Sequence, residues 1–371
     1  MPKKSSPSRA LDRLDSNFKT AAVRKQLTWI DAFDRRLALR GLGWLNENRK
    51  AKNFRRFPAR AAGRFSEGLQ ILSHCPASVF VSFFTDATEI ATRLKNHDLN
   101  MMRHMPLTGM SGSELFVHEG NKWISIAVAI PTLESPTFEQ ELVSGLSRRM
   151  REYRLYLPLY KRLDHLALGF TRGSTVRPSS RPAGVRPIFF YGTSITQGGC
   201  ANTAGTDFVS TLGRLLDTEV INFGFSGSGR GEPQVAELIR EIDAEIFVLD
   251  YAANCEAALL RTTLPEFVRL LREKHPVTPI VLIGNICYDS YLWKKEISES
   301  LNDRRHAMMD FYLRSRGMGE RNIHFIDGFG LIPPGIDGSY VDGVHPTSAG
   351  FAMMAERLAP YFRVLRGCLL T

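Results

Sequence analysis

The stretch Ile188-Phe189-Phe190-Tyr191-Gly192-Thr193-Ser194-Ile195-Thr196 constrains the fold more than any other. Four large apolar residues in a row, bounded by Pro187 and Gly192, leave no face for solvent. They read as a strand buried on both sides, the kind that parallel sheets contain. Two residues past the glycine, Ser194 stands among small and polar neighbours, where open α/β sheets place their ligands. A plain strand followed by a polar turn fits the same residues, so the question is whether other loops supply this serine with partners.

Downstream the pattern repeats. Candidate strands at 188–191, 219–223, 246–250, 280–283 and 323–327 alternate with helical stretches at 207–216, 233–242, 264–274, about 290–316 and 348–365. Such alternation implies an α/β fold, a parallel sheet with helices on both faces. At 371 residues the chain is too long for one core. Residues 46–172 carry short β-type runs at 78–85, 114–118, 122–129, 138–146, 153–157 and 166–170, with Glu119-Gly120-Asn121 as a hairpin turn, and imply a β-sandwich. Residues 173–187, with Pro178, Pro182 and Pro187, read as a linker, and 188–371 as the second domain.

Before the sandwich, Phe18, Val23, Leu27, Ile30, Phe33 and Leu37 recur at helical spacing, so residues 1–45 read as a helical arm ended by Gly41 and Gly43. Its apolar face must dock on the body of the chain or on a second copy, giving a homo-oligomer. The net charge of +10 belongs to this end: residues 1–64 hold 17 Lys and Arg against 5 Asp and Glu, and the remainder 31 against 33. No nucleic-acid module accompanies the basic arm, so nucleic acid is not expected as a partner. No apolar run is long enough to span a bilayer, and no apolar segment follows the basic N-terminus as a signal peptide requires. The expectation is a cytoplasmic protein, or a periplasmic or secreted one if a leader has been removed. Five cysteines without CxxC spacing and nine scattered histidines without HExxH suggest no disulfide framework, no metal and no cofactor.

Three further loops leave the same sheet edge. Residues 222–233 place glycines at 224, 227, 229 and 231, which free backbone N–H groups to approach a ligand. A phosphate cradle needs the same freedom, but neither GxGxxG nor GK[ST] can be laid on them; a flexible turn also fits. Asn254, at the tip of the third strand, offers an amide donor or caps a turn. Asp342 and His345 share one turn, so the carboxylate can fix the imidazole tautomer and leave the other nitrogen for a serine proton; a structural surface pair has the same spacing. A serine, two oxyanion donors and an Asp/His pair together form the inventory of nucleophilic acyl transfer.

The blocks Gly192-Thr193-Ser194, Phe225-Ser226-Gly227, Ala253-Asn254 and Asp342-Gly343-Val344-His345-Pro346 resemble, in order, the four signature blocks of the SGNH (GDSL-type) hydrolase superfamily. The chain is also similar to a subgroup with a jelly-roll-like N-terminal domain marked G-x-D-L-Y, where Gly112-Ser113-Glu114-Leu115-Phe116 stands here. The resemblance implies a flavodoxin-like three-layer α/β/α domain. In it Ser194 is nucleophile, His345 base and Asp342 its orienter, with the Ser194 and Gly227 N–H groups and the Asn254 amide as oxyanion donors. Three departures are visible: Thr193 for Asp, Ala253 for Gly, and Glu114 and Phe116 for the Asp and Tyr of the small-domain signature. A G-x-S-x-G elbow is absent, since Thr196 stands where its second glycine would be. The implied activity is hydrolysis of an ester, with a short acyl group such as acetyl on a carbohydrate first, aryl esters or thioesters second, and a non-catalytic glycan-binding protein as the rival from another class.

Overall fold

The computed structural model describes residues 22–23, 26–180 and 185–369. The N-terminal part is a sandwich of two antiparallel sheets. Its strands are β1 (Leu27–Asp31), β2 (Ala38–Arg40), β3 (Phe80–Thr85), β4 (Ile90–Asn96), β5 (Ser113–Glu119), β6 (Lys122–Ala129), β7 (Thr137–Val143), β8 (Arg151–Tyr156), β9 (Leu163–Thr171) and β10 (Val176–Pro178). One sheet has the order β1-β9-β4-β7; the other is β10-β3-β8-β5-β6, with β2 also paired to β3. The two-residue period of a strand sorts the side chains. Val81, Phe83, Leu115 and Leu155 fill the core against Ile30, Leu94, Leu168 and Phe170. From the opposite face of the same sheet, Phe80, Phe116 and Tyr156 meet Ala204 of the second domain.

Three expectations change, the first two in this domain. The helix read over 27–37 is not formed: Leu27–Asp31 pairs with β9, and Ile30 and Leu37 sit in the sandwich core. Thr28-Trp29-Ile30 is β-branched and aromatic, and its true period is two. Leu27 and Trp29 pack over Gly169, where an added Cβ would lie 2.9 and 3.1 Å from them, while Ile30 points inward. The described apolar face of the arm is thus covered by its own chain; Phe18 lies outside the described residues. Likewise, the first part of the 173–187 linker is strand β10, paired with β3 in the register Val176↔Thr85. Its proline sits at an edge, where no N–H is required; residues 181–184 lie outside the described residues.

The second domain holds β11 (Ile188–Gly192), β12 (Val220–Gly224), β13 (Ile246–Asp250), β14 (Ile280–Ile283) and β15 (Ile323–Ile326), all parallel, in the order β12-β11-β13-β14-β15. This is the flavodoxin-like order, whose crevice opens where the connections reverse, between β11 and β13. Ile188 and Phe190 face the helices Phe208–Leu215 and Ser348–Leu369. Phe189 and Tyr191 face Pro233–Ile239, Ala257–Arg272 and Lys295–Gly317. The result is a three-layer α/β/α sandwich. Between the domains runs a helical stretch, Leu45–Ala51 to Glu67–Ser73. The sequence assigns it to the β-sandwich, but Phe57, Ala61 and Leu69 pack on Phe223 and Phe225 of the second domain.

Candidate active site

β11 ends at Gly192, whose Cα lies so close to β13 that a Cβ would sit 2.6 Å from Asp250 O. Thr193 then caps a single helical turn, Ser194–Gln197: its Oγ accepts the Ile195 N–H at 3.2 Å, and Thr196 Oγ accepts the Thr193 N–H at 3.1 Å. Gly198, at φ 95°, closes the turn. This reciprocal capping leaves Ser194 half-buried at the first position of the turn, with its hydroxyl facing the last loop of the sheet.

On that last loop Asp342 Oδ1 accepts the N–H groups of Val344 (3.1 Å) and His345 (2.8 Å), and Oδ2 lies 2.8 Å from His345 Nδ1. His345 Nε2 is 2.9 Å from Ser194 Oγ. With the carboxylate on Nδ1, that nitrogen carries the proton and Nε2 accepts from the serine. Partial burial pushes the Asp342 carboxyl up, but its bonds from the His345 N–H, the His345 ring and the Val344 N–H outweigh it and hold the group below the usual carboxylate range. It is ionised at neutral pH and oriented by three donors.

The glycine-rich loop lies alongside. Phe225 N–H bonds Gly192 O at 3.0 Å, Gly227 turns at φ 63°, and Gly227 O accepts from Arg230 Nε at 3.0 Å. Among the described residues, neither the Ser194 N–H nor the Gly227 N–H has an acceptor. The sequence also offers Asn254 as a donor. Its amide is already engaged, to Phe225 O at 3.1 Å and Gly229 O at 3.0 Å, so in this state it braces the glycine loop.

Four residues hold these loops in place, three of them outside the signature blocks. Arg56, fully buried without a carboxylate partner, donates to Asn222 O (3.0 Å), Gly224 O (2.6 Å) and Leu72 O (2.8 Å) and lies over the Phe225 ring. Burial lowers its pKa to about 10, which still leaves it charged at neutral pH. Tyr160, from the sandwich domain, donates to Ser194 O at 3.2 Å. Gln197 accepts from the Ser226 N–H and donates to Leu159 O. Glu114, in the small-domain signature, takes the Gly205 N–H at 3.0 Å and the Ser125 hydroxyl at 2.6 Å, so its carboxylate ties the sandwich to the loop after the serine. Arg56 sits in a basic run that reads as surface, and only its neighbours across the fold reveal otherwise.

A flavodoxin-like sheet carrying a hydrogen-bonded serine, histidine and aspartate at its carboxyl edge is the architecture of the acylhydrolase class. Residues 185–366 match the model of the GDSL-like lipase/acylhydrolase family, and residues 27–176 that of the N-terminus of SGNH-hydrolase-type esterases, GxDLY. The chain belongs to the SGNH (GDSL-type) hydrolases, in the group with a GxDLY N-terminal domain. Among solved structures it is similar to a GDSL-like lipase from Bacteroides ovatus, at 27% identity over 92% of this chain and 98% of that one, with a TM-score of 0.85. It shares the fold of the salicylyl-acyltransferase SsfX3 from a tetracycline biosynthetic pathway, at 20% identity over 92% and 98% of the two chains with a TM-score of 0.73. It also shares that of a family two carbohydrate esterase from Cellvibrio japonicus, at 15% over 93% and 99% with a TM-score of 0.58. In sequence the chain has no match among curated proteins. No described helix is long and apolar enough to cross a membrane.

Proposed function

We propose that the chain hydrolyses short-chain esters through a covalent acyl-serine, with an acetyl group on a carbohydrate as the first substrate class. The observation that carries this is the unbroken chain Asp342–His345–Ser194, at 2.8 and 2.9 Å, beside two N–H groups without acceptors. His345 Nε2 takes the Ser194 hydroxyl proton as Oγ attacks the ester carbonyl carbon. The oxyanion lies against the N–H groups of Ser194 and Gly227, and Asn254 joins them by releasing one of its two carbonyl partners. His345 then passes the proton to the departing alcohol oxygen. Water repeats the sequence on the acyl-enzyme, releasing the carboxylic acid and returning the proton to Ser194. The substrate class is supported by the fold shared with carbohydrate esterases; aryl esters are the second class, after the acyltransferase fold.

The test is kcat/KM on p-nitrophenyl acetate, an acetylated sugar and an aryl ester, for wild type, Ser194→Ala and His345→Ala. Both variants lose at least ~10³-fold. Wild-type turnover no faster than that of Ser194→Ala on every ester sinks the reading.

A further inference from the structure

We propose that the mouth of this site also binds a soft divalent cation of the zinc class through His104, Cys200, Asp342 and His345, and that the bound ion switches the hydrolase off. One donor atom from each of the four residues lies within 4.8 Å of the others. No sequence spacing announces the site, because the donors come from three separate loops. His104 comes from the sandwich domain, between β4 and the short helix Leu107–Met110, and its ring centroid is 5.7 Å from that of His345. Cys200 follows the serine turn, and Asp342 and His345 form the last loop.

Cys200 is the second, independent observation. It is completely buried, and its thiol has no hydrogen-bond partner among the described residues. Its backbone sits at φ 73°, a left-handed conformation that a side chain adopts only at a cost and that glycine would accept freely. A cysteine thus occupies a strained position with its sulfur beside two imidazoles and a carboxylate.

The chemistry of the donors selects the ion. Two imidazole nitrogens, one sulfur and one carboxylate oxygen suit tetrahedral zinc and are a poor set for calcium or magnesium, which take oxygen. Donors of a tetrahedral zinc site stand roughly 3.3–3.8 Å apart, so closing this set asks for shifts of about 1 Å, which the exposed His104 side chain can supply.

A metal bound here takes a lone pair of His345 and the carboxylate that orients it. Nothing is then left to accept the Ser194 proton, so the ion inhibits. The inhibition rests on the reading of His345 as the base; the binding does not.

The experiment titrates the full-length chain with cobalt(II), then assays p-nitrophenyl acetate hydrolysis with and without zinc, in wild type, His104→Ala and Cys200→Ser. Each variant is compared with itself, so any change in basal rate cancels. Wild type is expected to show a thiolate-to-cobalt charge-transfer band that Cys200→Ser lacks. Its rate should fall at least about tenfold in ~100 µM zinc and recover with a chelator, whereas His104→Ala should lose less than about twofold. His104 is exposed and bonds to none of the loop hydrogen bonds, so that variant keeps the fold if Cys200→Ser does not. Absence of the band in wild type, or equal zinc sensitivity of His104→Ala, overturns the proposal. A cobalt band in a chain without esterase activity supports the metal site and sinks the hydrolase reading; activity without a band does the reverse.

Discussion

The two sides of the site are built by different means. The residues that hold the Ser194 turn are buried: Thr193, Thr196, Gln197 and Asn222 are each 1% exposed or less. Their bonds reach Arg56, Ser78 and Leu159, and Ser194 O accepts from Tyr160, all N-terminal to the parallel sheet. His345 sits instead on a short turn, with Asp342 and His345 side chains 35% and 21% exposed, and the carboxylate alone gathers two N–H groups and the ring. The position of the serine is therefore a property of two domains, and that of the histidine a property of four residues. Substitutions in the turn are expected to change rate without stability, and substitutions around the serine to change both.

The largest expected effect is on the turn. In Asp342→Asn, the remaining oxygen still accepts the Val344 and His345 N–H groups, but the amide presents hydrogens to His345 Nδ1 and selects the wrong tautomer. The rate constant kcat should fall on the order of 10⁴-fold with the thermal midpoint unchanged. A loss of stability there would break the contrast.

On the serine side, Gly224→Ala places a Cβ 2.1 Å from Gln197 N and 2.6 Å from Thr196 C, both backbone atoms that cannot yield without moving the nucleophile turn. Calorimetry or denaturant melts should show a loss of about 3 kcal/mol or more, together with loss of activity. Arg56→Met keeps the bulk but strands three carbonyls. About 2 to 3 kcal/mol of stability should go with it, and kcat should fall although Arg56 touches no reacting atom.

The smallest effect concerns pH. Burial lifts the Asp250 carboxyl to about 7, against the bond from Thr196, which acts to lower it. The folded state then holds a proton that the unfolded chain has lost, so stability falls as pH rises from about 4 to about 7 and levels off above. Asp250→Asn removes this slope. Relative to the variant, the wild-type midpoint should drop on the order of 3 °C across that range; parallel pH curves would show that the carboxyl titrates normally.

The same division explains what could be read from sequence. The sheet was legible because each of its strands is a short apolar run between turn residues, and the loops because each carries its own motif, from Ser194 to His345. The contribution of the first domain was not. Arg56, Tyr160 and His104 meet the site across 34 to 241 positions of chain, and nothing beside them in sequence marks the encounter. Leu27 to Leu37 misled for another reason: apolar residues three to five apart satisfy a helix, while the strand is set by pairing with β9, about 140 residues away. Asn254 is legible as an amide at a strand tip, but its bonds to Phe225 and Gly229 emerge only from the fold.

The proposed mechanism requires that Ser194 Oγ be the atom acylated. It is tested most directly by treating the protein with a serine-directed phosphonate ester and locating the adduct by peptide mass spectrometry. One adduct per chain is expected, on Ser194, formed in step with loss of esterase activity and absent from Ser194→Ala. An active protein that carries no adduct there, or carries it on another residue, contradicts it.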